Sequence, residues 1–151
     1  MTKNFQSEIF NYLQKNNIEN FVGVPDSTLK DFINEGLIQK KIIITTREEE
    51  AIGIATGMKN AGFANSLSTI TSLIELYKIP LIFLIGWRGY LKNDAPEHYK
   101  IGKIQPDLLK IIGLPSKIIT EKNWKKQCIW AMKKIQNDSP CALIVKREFY
   151  D

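Results

Sequence analysis

The residues able to do chemistry gather in three polar stretches: Gly23-Val24-Pro25-Asp26-Ser27, Thr45-Thr46-Arg47-Glu48-Glu49-Glu50, and residues 86–100, which hold Arg88, His98 and Lys100. The three successive glutamates could simply complement the dipole of a helix that opens at Arg47. The small-residue run Ala51-Ile52-Gly53-Ile54-Ala55-Thr56-Gly57 that follows lets another backbone approach closely, so an acid at the mouth of this helix is partly desolvated. Desolvation raises a carboxyl pKa toward the range useful for proton transfer. Ser27 carries a hydroxyl that can cap a helix or meet a carboxylate. His98 is the only histidine and falls between polar neighbours rather than on an apolar face. Arg88 brings the forked guanidinium that suits oxyanions.

The three stretches must be held by regular elements, and the apolar pattern supplies them. Phe5, Ile9, Phe10 and Leu13 share one face of a helix over residues 4–16, and a short strand ends at Gly23 and Pro25. A second helix, capped by Asp26 or Ser27, runs to about residue 40 with Leu29, Phe32, Ile33 and Leu37 on one side. The β-branched run 42–46 lacks polar alternation, as expected of a strand covered on both faces. Helices from Arg47 and over Leu67–Tyr77 follow, then a strand over Pro80–Ile85 and a loop over 86–104. A short helix at Pro106–Ile112, a strand at Lys117–Thr120, a helix at Glu121–Ile135 and a strand at Cys141–Lys146 close the chain. The alternation predicts an α/β fold of three layers, α/β/α, around a parallel sheet. All three polar stretches follow strands, at the carboxyl edge where such sheets bind ligands.

The 151 residues suit one domain with one core over 1–151, and 44% hydrophobic with 25% charged residues is ordinary for a globular protein. The N-terminus has no secretory pattern, and the most apolar run, Ile79–Trp87, is too short to span a bilayer. A cytoplasmic protein with no membrane partner is expected. Cys128 and Cys141 lack metal or disulfide spacing and read as buried thiols. A net charge of +5 suits an anionic ligand, but the lysines are scattered and no aromatic-and-basic strand signature appears, which argues against nucleic acid.

Taken together, the stretch from Arg47 to Gly57, the loop after the first strand, and the segments 60–73, 77–89 and 94–102 resemble the thiamin-diphosphate-dependent phosphonopyruvate and sulfopyruvate decarboxylases. The resemblance is to their N-terminal, pyrimidine-binding (alpha) subunit and covers most of the chain. It implies that Glu48, nine residues ahead of Gly57, hydrogen-bonds the cofactor's aminopyrimidine, with Glu49 the substitute in a register one residue on. It further implies that the turn Asn60, Gly62, Asn65 lies beside the pyrimidine, and that Ser27 meets the 2-oxoacid carboxylate. Arg88 then binds the phosphonate or sulfonate, and His98 takes part in catalysis from a loop over the site. No Gly-Asp-Gly motif occurs, so the resemblance implies a separate diphosphate-binding (beta) subunit that holds Mg²⁺ and completes a hetero-oligomer.

One departure bears on activity. Where the family has a loop and a buried strand between the glutamate helix and the Asn60 turn, this chain has only Lys59. A missing strand would leave ladder groups unpaired in the interior. The alternative function is therefore a noncatalytic scaffold that binds the partner subunit, derived from the same domain by an internal deletion near residues 58–60.

Overall fold

The computed structural model describes residues 4–58, 70–91 and 94–146, apart from the side chains of residues 49, 56–58, 72, 73 and 75. In chain order these are α1 (Phe5–Lys15), β1 (Phe21–Gly23), a 3₁₀ turn (Ser27–Leu29), α2 (Lys30–Ile38), β2 (Ile42–Ile44) and α3 (Glu48–Met58). A π-helical segment (Ile70–Glu75), β3 (Ile82–Trp87), α4 (Pro96–Ile111), β4 (Ser116–Ile119), α5 (Trp124–Gln136) and β5 (Cys141–Lys146) follow.

All described strand pairs are parallel, and helices cover both faces. Side-chain alternation along β3 and β5 divides the core in two. Leu81, Phe83, Ile85, Ala142 and Ile144 pack with α3, the π-helical segment and Leu109 of α4. Ile82, Cys141, Leu143 and Val145 pack on the opposite side with Ile9, Phe10 and Leu13 of α1 and Cys128 and Ala131 of α5. This is the expected three-layer α/β fold. Phe10, Phe21 and Phe32 knit α1, β1 and α2 together, with ring centroids 4.4 to 5.5 Å apart. Both cysteines are buried and free, and burial pushes each thiol up to about 12.

Among the described residues the strands form two parallel ladders, β1-β2 and β3-β5-β4. The Phe21 N–H donates to the Lys41 carbonyl at 3.1 Å, and the Thr45 N–H to that of Gly23 at 3.0 Å. Phe21 and Gly23 thus face β2, and Val22 between them turns its backbone groups the other way. In β3 the Leu81 carbonyl accepts from Cys141 N–H at 3.0 Å, so by the same alternation Ile82, Leu84 and Gly86 face away from β5. Among the described residues neither edge has a ladder partner.

Two expectations are corrected. The run 42–46 is not covered on both faces: β2 ends its ladder, and Ile43 and Ile44 are about 40% exposed (39% and 41%). Residues 86 and 87 of the expected 86–104 loop end β3, and from Pro96 onward that loop and the short helix after it are one continuous helix, α4, with Pro106 inside it. Pro106 has no N–H to give the carbonyl of Gly102. The Trp87 indole N–H donates to that carbonyl instead, at 2.7 Å, and the helix continues.

The Trp87 bond requires α4 to lie directly on the end of β3, which glycine permits. A Cβ on Gly102 would overlap the Arg88 carbonyl and Gly89 backbone, and one on Gly89, whose φ is +74°, would overlap the His98 carbonyl. Gly102→Ala is therefore expected to lower unfolding free energy by more than about 2 kcal/mol in urea titrations, because backbone must shift. Gly53→Ala, at an exposed helical position with nothing within 4 Å, is expected to raise it by about 0.5–1 kcal/mol.

Candidate functional site

A cavity of about 410 Å³ lies between the two unpartnered edges, lined by Phe21 to Ser27 on one side and by Ile82, Leu84, Ile85, Gly86 and Arg88 on the other. Its inner end is apolar, with Leu13, Ile18, Phe32 and Ile42. Its outer end, past the carboxyl ends of β1 and β3, gathers Asp26, Ser27, Glu48, Arg88, His98 and Gln105. Four of the residues singled out from the sequence, Ser27, Glu48, Arg88 and His98, meet here from four separate segments. Asn60, Gly62 and Asn65 lie outside the described residues.

Glu48 is the first residue of α3, half-buried, at the cavity wall. Glu50 has other work: its Oε2 accepts from the Thr46 N–H at 3.2 Å and the Thr46 hydroxyl at 3.1 Å, closing the start of the helix. The Glu49 side chain is outside the described set. Asp26, rather than Ser27, caps the 3₁₀ turn, accepting from the Thr28 N–H at 2.7 Å. Ser27 is left exposed at the cavity rim, where a ligand's acid group could reach it.

His98 is not on a loop. It sits in the first turn of α4, its backbone N–H bonded to the Ala95 carbonyl at 2.9 Å, its side chain 28% exposed. Its Nε2 lies 4.0 Å from Glu97, too long for a hydrogen bond. Lys100, which shares the polar stretch 86–100 with Arg88 and His98, is exposed and does not line the cavity.

Arg88 is held by a residue the sequence reading did not assign. The guanidinium Nη2 donates to Asp94 Oδ1 at 2.8 Å, while the Gly89 N–H donates to Oδ2 at 2.7 Å and the Ala95 N–H to Oδ1 at 2.8 Å. Asp94 is 5% exposed. Burial works against its charge, but the Arg88 hydrogen bond and the two backbone N–H groups outweigh it and hold the carboxyl well below the usual carboxylate range. The sequence signal was an acid just ahead of Ala95-Pro96, where a helix begins and its free N–H groups need an acceptor.

No family model matches the chain. It is similar to the sulfopyruvate decarboxylase subunit alpha of Methanocaldococcus jannaschii, 34% identical over 121 residues and covering 72% of each chain. It is also similar to that of Methanococcus maripaludis, 31% identical with 74% of this chain and 75% of the relative covered. The chain belongs to this decarboxylase family. A phosphonopyruvate decarboxylase of Streptomyces viridochromogenes is 29% identical over 113 residues, which span 66% of this chain and 28% of that one. Among solved structures, one titled a split gene transketolase, inactive beta4 tetramer, superposes with a TM-score of 0.62 at 14% identity. It covers 97% of this chain and 50% of that one, and bears on the fold alone. Among the described residues, no helix is long and apolar enough to cross a membrane.

Asp94 gives the site a pH signature. Its folded-state carboxyl titrates below the ordinary 3.8, so the native state keeps the charge where the unfolded chain takes up a proton. That stabilisation is complete above the unfolded value and is lost as pH falls toward the folded one. Asp94→Asn should cost about 1–3 kcal/mol at pH 7, with the gap to the unmodified protein shrinking below about pH 4 in paired urea titrations.

Proposed function

We propose that this chain is a single pyrimidine-binding domain, residues 1–151, and the alpha subunit of a cytoplasmic, thiamin-diphosphate-dependent decarboxylase of sulfopyruvate or phosphonopyruvate. The observation that carries the reading is the convergence of Glu48, Ser27, Arg88 and His98 on one cavity, in a chain of that decarboxylase family. A flat, weakly basic pyrimidine fits a slot with aliphatic walls and a carboxylate at its mouth. The cofactor's diphosphate, carried with Mg²⁺, needs a second set of donors. That part of the cofactor would fall to a beta subunit, and a hetero-oligomer follows.

When bound, thiamin diphosphate supplies the electron sink that lets carbon dioxide leave a 2-oxo acid. The chain's own residues then have distinct tasks. Glu48 holds a proton at a pyrimidine ring nitrogen from the mouth of α3. Asn60, Gly62 and Asn65, outside the described residues, are the residues that the family resemblance assigns to the same ring. The Ser27 hydroxyl donates to the substrate carboxylate at the rim, Arg88 meets the sulfonate or phosphonate, and His98 moves a proton across the outer end of the cavity.

The break between the ladders among the described residues supports a second reading, a scaffold that binds the beta subunit without turnover. The test is to co-express the chain with a beta subunit and measure carbon dioxide release from both substrates. On the first reading Glu48→Gln lowers turnover by about 100-fold or more, while Glu50→Gln stays within a few-fold. A stable complex with no turnover favours the scaffold.

Ser27 gives an independent measurement in the same assembly. With Asp26 as the cap, Ser27→Ala should change unfolding free energy by less than about 0.5 kcal/mol while raising the substrate KM. A loss of stability with KM unchanged would return Ser27 to a structural role.

A further inference from the structure

Three buried side-chain polar atoms among the described residues have no hydrogen-bond partner: Thr28 Oγ1, Arg88 Nε and Gln105 Nε2. Unpaired buried donors are rare in folded proteins and call for an explanation. Thr28 packs against Gly86 and does not line the cavity, but Arg88 and Gln105 both do. Gln105 is only 7% exposed. It lies one helical turn beyond Gly102, whose backbone rests on Arg88 and Gly89, so the two residues share one wall at the end of β3. The terminal torsion of glutamine is soft, so a half-turn exchanges the places of its amide nitrogen and oxygen.

The charge around this wall is as informative as the donors. Asp94 occupies one arm of the Arg88 guanidinium and cancels its charge, and the other ionisable groups at this end are Asp26, Glu48 and His98. The wall therefore offers N–H groups without surplus positive charge. A sulfonate carries a single negative charge, whereas a phosphonate, like a phosphate monoester, carries about 1.5 to 2 at pH 7. Donors without net charge serve the monoanion and leave the excess charge of the other unmatched.

We propose that Gln105 is a specificity-determining residue: its amide and the Nε–H of Arg88 form a charge-neutral subsite that takes the sulfonate of the substrate in preference to a phosphonate. The proposal rests on the decarboxylase reading for its substrate, but the donors and the charge balance belong to this chain alone. Asp94 is the positioning residue, since it orients Arg88 and neutralises it.

The test needs neither cofactor nor partner subunit. Sulfoacetate and phosphonoacetate, which differ only in the second acid group, are titrated into the ¹⁵N-labelled full-length chain while the Arg88 Nε–H resonance is followed. Sulfoacetate should move that resonance and bind about tenfold or more tightly than phosphonoacetate. Gln105→Leu should weaken sulfoacetate about tenfold, the loss expected for one hydrogen bond to a charged group, and should raise the melting temperature because an unpaired amide leaves the interior. Gln105→Glu, of the same shape, should abolish binding. The proposal is overturned if both variants bind sulfoacetate as the unmodified chain does, if the Arg88 resonance does not respond, or if phosphonoacetate binds as well. Should binding behave as expected while the assembled complex releases no carbon dioxide, the subsite stands and the decarboxylase reading falls.

Discussion

The contact on which the rest of the site depends is the seating of α4 on the end of β3. Gly89 and Gly102 let two backbones meet where any side chain would separate them, and Asp94 ties the strand end to the helix start through Arg88, Gly89 and Ala95. The Trp87 indole completes the joint by taking the carbonyl that Pro106 leaves open. Shift this helix by a few tenths of an ångström and Arg88, His98 and Gln105 move together. Three residues of the cavity wall are thus fixed by one rigid junction, the arrangement that keeps a site within its productive geometry.

The second constraint is the break between the ladders. A strand edge facing the interior carries N–H and C=O groups that cost free energy unless something pairs with them. Among the described residues two such edges, at Val22 and at Ile82, Leu84 and Gly86, face one cavity. The Gln6 side-chain amide donates to the Thr28 carbonyl at 2.9 Å and fastens the loop after β1 to α1, while Asp26 and Thr28 lie so close to Gly86 that a Cβ there would overlap them. Functional sites commonly occupy the places where a fold leaves polar groups unmatched.

Most of the architecture was legible because it follows from local periodicity. The α1 face of Ile9, Phe10 and Leu13 and the buried runs of β3 and β5 lie where the apolar pattern puts them. What the sequence hid depends on contacts between distant residues. Nothing near Pro106 announces that an indole far upstream will replace its missing N–H, so α4 reads as a loop and a short helix. Several helices end on Asn17, Lys40 and Asp138 with positive φ rather than on glycine, which blurs their boundaries. The exposure of β2 follows from its place at the end of a ladder, and strand order is not written in a single strand. Within the site, Glu48, Ser27, Arg88 and His98 stand out by type and position after strands. Gln105 does not, although it shares a buried stripe with Gly102 and Leu109, and a polar residue on such a stripe is the signal that could have found it.

The chain's net charge of +5 is a separate matter from the charge of its cavity. Lysines such as Lys100, Lys103, Lys110, Lys125 and Lys126 are exposed and spread over helix surfaces, where salt screens them beyond about 10 Å. They can raise the local concentration of an anion or draw in an acidic partner, but they do not select one anion from another. Selection falls to the outer end of the cavity, where Arg88 is balanced by Asp94 and where Asp26 and Glu48 add negative charge. An anion entering there gains little from net charge and must be held by directed hydrogen bonds. Directed bonds depend on geometry, and geometry at this wall is set by the junction of α4 with β3. The packing of two glycines is in this way a condition of ligand recognition as well as of stability.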